Sequence, residues 1–303
     1  MERLANSERG LSARSLRQLY TACVTSVADY GAPVWWSTKR SVAPLQAIQS
    51  RAARRILGVF RTSPNAPTEL EAALLPPAIR IERQVALYGI RLRRLPSDNP
   101  TAQALKDTVT PPSLVPISLG YEIIVPKAKT RLQAVQLRNK DLTNGAYKVQ
   151  IQSATERAWA KHYKKAKTKK GPHHSQSYFE RFPFEATRSS DIVRGHRSTT
   201  SAFYALKLGH GYFQSYLYRI KKADHYRCRC GNKETPEHLL LSCPLYQAER
   251  PIALRTATSL QALLSTPDGV EEALRFLNTT RIGTNAWYQQ RAKEFADNQE
   301  TED

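Results

Sequence analysis

The chain has 303 residues, which is long enough for two domains of ordinary size, and 41% of them are hydrophobic, as in a globular protein and unlike a disordered one. No apolar run approaches the roughly 20 residues of a membrane-spanning helix, and the first residues are polar and charged, so we expect a soluble, intracellular protein, nuclear or cytoplasmic, that is not secreted. The formal net charge of +20 lies in residues 1–250, because residues 251–303 are net negative; it favours polyanions, of which nucleic acid is the commonest inside cells, with an acidic protein or anionic lipid as alternatives.

Near the amino terminus, apolar residues at three- and four-residue spacing predict three helices. The first runs from 11 to about 28, with Ser12 near its start and Cys23 on its buried face. The second spans 42–59 and ends near Gly58, and the third spans 79–95. These helices predict a small helical bundle over the first 95 residues.

Arginines lie on the sides of the second and third helices that are away from the apolar residues. They are Arg51, Arg54 and Arg55 on the second helix, and Arg80, Arg83, Arg91 and Arg94 on the third. A basic helix with an apolar underside can lie along a phosphate backbone, so these arginines are candidate nucleic-acid contacts. A solvated arginine face, whose side-chain stems cover neighbouring apolar surface, explains the pattern equally well.

Prolines without a helical period predict an irregular linker, or a degraded remnant of another domain, over residues 96–145. Helical character returns over 146–165, followed by a lysine-rich run. The candidate nucleic-acid contacts in this region are Lys161, Lys164, Lys165, Lys167, Lys169 and Lys170. Such a run is typical of phosphate contact, of a nuclear-localisation signal or of a solvated helix end.

Beyond residue 196 the sequence predicts a helix over 197–208 and, after two glycines, an aromatic helix over 212–218 that packs rather than stacks on bases. Short helices are predicted over 259–264 and 270–277, before a polar, acidic tail. The predicted fold is therefore mainly α: a helical bundle (1–95), a linker (96–145), a basic helical region (146–250) and a helical, acidic tail (251–303).

Three of the four cysteines lie in the pattern C-x-C-x7-H-x4-C, which is formed by Cys228, Cys230, His238 and Cys243. Thiolates and an imidazole are the ligands of a closed, tetrahedral Zn²⁺ site, and four protein ligands leave no position for a catalytic water. The pattern therefore predicts a structural zinc ion. Unligated thiols and a disulfide are the alternatives, and His225 is a possible substitute ligand.

Four segments of the chain together resemble a known family. LRQLYTACVTSVADYGAPVWW (16–36) and LQAIQSRAARRILG (45–58) are similar to the region after the palm, including the helical thumb, in reverse transcriptases of fungal non-LTR (LINE-like) retrotransposons. LKLGHGYFQSYL (206–217), followed by the cysteine pattern and CPLY (243–246), resembles the carboxyl end of the same polyproteins, beyond their RNase H domain. The resemblance implies a thumb joined to a zinc-bearing tail.

The catalytic residues of that family are missing from the sequence. Its polymerase needs paired aspartates to hold two metal ions, and this chain has no Asp-Asp dipeptide. Residues 96–195 also lack the carboxylate pattern of an RNase H. We therefore expect a non-enzymatic, retrotransposon-derived protein that binds nucleic acid, with full-length retroelement proteins as candidate partners and with no membrane and no small-molecule substrate. The alternatives are a divergent RNase H, a reverse transcriptase component acting with another chain, a protein-interaction module, or a decayed reading frame.

Overall fold

The computed structural model describes residues 3–32, 39–92, 95–101, 103, 144–168, 175–182, 192–264 and 266–300. Most of the predicted linker, together with Arg94, Lys169 and Lys170, lies outside these residues. The described part is mainly helical and contains no β-strand beyond one isolated bridge, so the mainly α prediction is confirmed. No helix in that part has the length and apolar content needed to cross a membrane.

The helices follow one another along the chain with short connections. The α-helices are α1 (Ala13–Leu19), α2 (Ser26–Asp29), α3 (Lys39–Leu57), α4 (Asn65–Glu71), α5 (Pro77–Leu92), α6 (Asn144–Thr168), α7 (Ser175–Arg181), α8 (Arg197–Leu208), α9 (Gln214–Arg219), α10 (Ile252–Thr256), α11 (Leu260–Leu264), α12 (Pro267–Thr280) and α13 (Asn285–Glu300). Two π-helical turns, π1 (Tyr20–Thr25) and π2 (His238–Ser242), and two 3₁₀ turns, Arg3–Ala5 and Pro244–Tyr246, complete the set.

The first predicted helix is interrupted, and the interruption changes which residues are buried. Ser12 caps α1 as predicted, because its Oγ accepts a hydrogen bond from the Ser15 amide at 3.1 Å. The turn π1 then adds a residue per turn and rotates the following side chains around the helix axis. Tyr20 and Thr25 are buried, whereas Cys23 is exposed. The prediction that Cys23 lies on the buried face is therefore wrong.

Helix α8 lies at the centre of the molecule. All twelve of its residues are buried, and it packs against α3, α4 and α12. Arg197, at its start, donates to the carbonyls of Arg55 and Ile56 at 2.7 and 2.6 Å, which satisfies carbonyls that the end of α3 leaves without helical partners. Burial lowers the pKa of the Arg197 guanidinium to about 10. This arginine therefore joins α8 directly to α3.

One hydrophobic cluster contains residues from every helical region of the described chain. Leu16 and Ile56 come from the first region, Tyr163 and Phe203 from the second, and Trp287 from α13. The tail is helical, as predicted, and its first turn also contributes to the core. The domain boundaries predicted at residues 95 and 145 stay predictions, but the helices on both sides of them bury one common surface.

Candidate metal centre and basic cleft

The four residues of the cysteine pattern converge in the fold, and we call them the metal cluster. The ligand atoms of Cys228, Cys230, His238 and Cys243 all lie within 4.8 Å of one another. The Sγ atoms of Cys228 and Cys243 are 3.8 Å apart, and Cys230 Sγ lies 3.1 Å from His238 Nε2. The predicted residues are therefore arranged so that they could hold a metal ion.

A tight turn brings the first two cysteines to one side of the chain. The Cys228 amide donates to the Asn232 carbonyl at 2.7 Å, and the Gly231 amide donates to the Cys228 carbonyl at 2.9 Å. Gly231 has a φ of 90°, which a residue with a side chain rarely adopts. The Asn232 side-chain amide lies 3.6 Å from Cys230 Sγ and orients that thiol. The turn thus fixes both sulfurs before any metal binds.

The π-helical turn places the other two ligands together. In π2 the Cys243 amide donates to the His238 carbonyl at 2.7 Å, so a residue five positions later lies over the imidazole. The His238 Nδ1 atom lies 3.4 Å from Ser242 Oγ, and the ring presents Nε2 to the sulfurs. A partner on the second ring nitrogen is the usual way in which proteins orient a metal-binding histidine.

The geometry and the thiol chemistry distinguish a metal centre from the alternatives. A disulfide needs sulfurs about 2.05 Å apart, and no cysteine in the described chain forms one. Bonds of about 2.3 Å around a tetrahedral ion place two sulfurs about 3.8 Å apart, as Cys228 and Cys243 are. Burial raises the pKa of the Cys228 thiol to about 12, so a bound cation is what would favour its thiolate. His225 is exposed, and its Nδ1 accepts from the Arg227 amide instead.

Two buried arginines near the metal cluster were not identified from the sequence. Arg250 donates to the Cys243 carbonyl at 2.8 Å and to the Leu240 carbonyl at 2.9 Å. Arg291, on α13, binds the fully buried carboxylate of Glu234. Arg250 follows the pattern closely and carries a weak signal in its position, whereas nothing in the sequence joins Arg291 to a turn 57 residues earlier.

A second site is a basic cleft of 1420 Å³, which brings together part of the predicted nucleic-acid set. Arg51, Arg54 and Arg55 of α3 line the cleft together with Lys165 of α6. The other cation of the lining is Arg61, and the carboxylates are Glu8 and Glu69. Since α3 and α6 are distant in the sequence, their shared cleft could not be predicted from either helix alone.

Aromatic rings form part of the cleft wall. Phe60 and Tyr212 line it and meet edge to face, with ring centroids 4.8 Å apart. Tyr212 in turn stacks on Tyr288 at 5.1 Å. Arg54 is held in place by two hydrogen bonds to the Ser63 carbonyl, at 3.0 and 2.8 Å, so it shapes the wall. Arg51 is exposed and directs its charge to solvent.

The remaining predicted contacts do not join the cleft. Arg80 forms a two-bond ion pair with Asp29, at 2.8 and 3.0 Å, and therefore holds α5 against α2 instead of facing a ligand. Arg83 is half-buried, and Arg91 is exposed elsewhere on α5. The exposed lysines of α6 that lie outside the cleft lining are Lys161, Lys164 and Lys167.

Comparisons of the chain with models of protein families, with curated proteins and with solved structures found no match. The resemblance to fungal non-LTR retrotransposon reverse transcriptases therefore stays a prediction. The metal cluster and the basic cleft are the features from which a function can be argued.

Proposed function

We propose that this protein binds nucleic acid through the basic cleft and that a structural zinc ion stabilises its carboxyl-terminal half. The observation that carries the proposal is the convergence of Arg51, Arg55 and Lys165, from two separate helices, on one cleft. Phosphate groups are bound by such clusters of cations, and releasing counterions from the nucleic acid drives the association. The rings of Phe60 and Tyr212 add faces and edges that suit nucleobases.

The metal cluster supports Zn²⁺ as the bound ion. Three thiolates and one imidazole match the soft ligand set that zinc takes, and four protein ligands close its tetrahedron. A closed site has no position for a water or a substrate, so the ion acts on stability and not on catalysis. Such an ion would add its binding free energy to the folding of the chain.

The four resembling segments support an origin in the reverse transcriptase polyprotein of a non-LTR retrotransposon. In this proposal the amino-terminal helices derive from the thumb and the metal cluster from the end of the polyprotein. The chain has no Asp-Asp pair to hold polymerase metal ions, so we propose that it does not itself polymerise DNA. Full-length proteins of related elements are candidate partners.

Binding to fluorescein-labelled RNA and DNA, measured by anisotropy across a salt series, tests the proposal. Arg51→Glu with Lys165→Glu reverses two charges of the cleft, and Arg14→Glu with Lys148→Glu is a control at exposed sites outside it. We expect the cleft variant to bind at least about tenfold more weakly, with a salt slope smaller by about 0.7 to 0.9 for each phosphate that the cleft no longer neutralises.

Equal weakening in the control, or no binding by the wild type at low salt, would contradict nucleic-acid binding by the cleft. The metal is tested separately by elemental analysis of protein purified without chelators, which should find about one zinc per chain. Protein without a bound metal, or with a different one, would contradict the zinc proposal.

A further inference from the structure

Two tyrosines form an exposed pair beside the metal cluster. Tyr218, at the end of α9, and Tyr226, in the turn before Cys228, are 49% and 40% exposed. Their ring centroids are 5.6 Å apart, and the ring planes meet at 68°. The predicted packing role of this aromatic run holds for Phe213 and Tyr216, which are buried, but not for Tyr218. The core therefore does not explain why these two rings are here.

Backbone hydrogen bonds fix the positions of both tyrosines. The Lys221 amide donates to the Tyr218 carbonyl at 3.0 Å and closes the turn after α9. The Glu234 amide donates to the Tyr226 carbonyl at 3.0 Å, and the carboxylate of Glu234 is held by Arg291. Tyr226 also lies two residues before the first ligand of the metal cluster. The pair is thus presented on a rigid part of the fold.

Cations surround the tyrosine pair. Lys221, Lys222, Arg227 and Lys233 are all exposed, and none of them pairs with a carboxylate among the residues that the structure describes. Arg227 and Lys233 face each other across the antiparallel bridge, which concentrates their charge at one place. Asp224 is the single acidic residue in positions 218–233. The local charge is therefore strongly positive around two exposed rings.

This combination favours single-stranded nucleic acid over other polyanions. Cations alone would bind a duplex, a polyphosphate or an acidic peptide, and none of these gains from an aromatic face. Unpaired nucleobases stack on such faces while the neighbouring cations bind their phosphates. In a duplex the bases are already stacked on one another and cannot reach the rings.

We propose that the knuckle surface, formed by Tyr218, Tyr226, Lys221, Lys222, Arg227 and Lys233, binds unpaired nucleotides of single-stranded nucleic acid. It shares no residue with the lining of the basic cleft and is a second contact region. The inference rests on the proposed function, because it assumes that the protein binds nucleic acid, and adds which form it binds and where.

The test measures the anisotropy of fluorescein-labelled oligothymidylate, a duplex of matched length, and inorganic polyphosphate as competitor. Tyr218→Ala with Tyr226→Ala removes both rings, Tyr218→Phe with Tyr226→Phe keeps them, and Tyr88→Ala removes a comparably exposed ring on α5 as a control. We expect the alanine variant to bind oligothymidylate about 5-fold to 100-fold more weakly, with duplex and polyphosphate binding unchanged. The phenylalanine and Tyr88 variants should stay within about twofold of the wild type, since each keeps the stacking rings.

Several results would overturn the inference. They are wild-type affinity in the alanine variant, equal weakening of polyphosphate and oligothymidylate binding, and parallel weakening of polyglutamate binding, which would indicate an acidic protein partner. If the alanine variant does not fold, judged by metal content and thermal unfolding, Lys221→Gln with Lys222→Gln replaces it on the exposed turn. That variant should lower the salt slope for oligothymidylate, and an unchanged slope would overturn the inference.

The outcomes separate this inference from the proposed function. If Arg51→Glu with Lys165→Glu weakens binding and the tyrosine variant does not, the knuckle surface is wrong and the basic cleft stands. If the tyrosine variant alone weakens single-strand binding, the knuckle surface stands and the cleft is wrong. If the wild type binds no nucleic acid at low salt, both fail.

Discussion

Arg291 donates two hydrogen bonds, at 3.1 and 2.9 Å, to the carboxylate of Glu234, which lies between the second and third ligands of the metal cluster. The Glu234 side chain is completely buried, and the Arg291 guanidinium also lies over the Trp287 ring at 4.3 Å from its centroid. Glu234 further accepts a hydrogen bond from the Gln214 amide at 2.8 Å. One carboxylate therefore joins α9, α13 and the metal-binding turn.

Replacing Arg291 by alanine leaves the buried Glu234 carboxylate without its cation. We expect the free energy of unfolding to fall by about 3–5 kcal/mol in urea denaturation, since an uncompensated buried charge is costly. Arg275→Ala is the matched control, because Arg275 pairs with Glu272 at 2.9 Å on the exposed side of α12 and should cost less than about 1 kcal/mol. Equal destabilisation of the two variants would show that the buried pair is not a structural joint.

Arg250 compensates the charge of the metal cluster. A zinc ion with three thiolates and a neutral imidazole carries one net negative charge, and Arg250 is a buried cation bonded to the Cys243 carbonyl. We expect Arg250→Met to lower zinc affinity about 10-fold to 100-fold, measured by competition with a chromophoric chelator. Arg255→Met, at an exposed arginine bonded to the Gln247 carbonyl, should leave the affinity within about twofold. A similar fall in affinity for both variants would contradict the compensation.

Local patterns predicted the elements of this fold well. The predicted helix over 197–208 matches α8, and the spacing of Cys228 and His238 indicated ligands that the structure brings together. Both predictions depend on residues close in the chain, where helical periodicity and ligand spacing act directly. Gly58 also ends α3 as predicted, with a φ of 74°.

Contacts between distant residues could not be predicted. Cys23 was misplaced because the periodicity argument assumes an uninterrupted α-helix, and π1 shifts the register. Arg80 reads as part of a basic face, but its partner Asp29 lies 51 residues earlier and takes up its charge. The basic cleft likewise depends on how α3 and α6 pack, which no local pattern encodes.

Gly58 lies where α3 meets α8, and this contact makes it sensitive to substitution. A Cβ there would come within 2.9 Å of the Ser201 Cβ and also needs a left-handed backbone. We expect Gly58→Ala to lower the unfolding free energy by about 2–4 kcal/mol, from backbone strain of about 1–2 kcal/mol and the clash with a packed helix. Gly283→Ala is the control, since its φ of 76° gives the same strain but its Cβ would meet Ala202 at an ordinary 3.5 Å. If thermal and urea unfolding show equal destabilisation of both variants, the close approach to Ser201 is not tight.

Glu69 gives the stability of the protein a distinctive pH dependence. Its side chain is 1% exposed at the cleft, and burial raises its pKa from 4.5 to about 7, against the opposing hydrogen bonds from Gln46 and Gln49. Between these pKa values the folded chain holds a proton that the unfolded chain has released. The contribution of Glu69 to stability is therefore greatest at low pH and falls as the pH rises from about 4.5 to about 7.

Glu69→Gln keeps the side chain neutral and removes this fall. From about pH 5 to about pH 8 the unfolding free energy of the wild type should decrease by about 2 kcal/mol more than that of Glu69→Gln, measured by urea denaturation at each pH. Glu271→Gln, at an exposed carboxylate of α12, should follow the wild type closely. Parallel pH profiles for wild type and Glu69→Gln would mean that Glu69 is already ionised at pH 5, and that Gln46, Gln49 and the nearby arginines outweigh its burial.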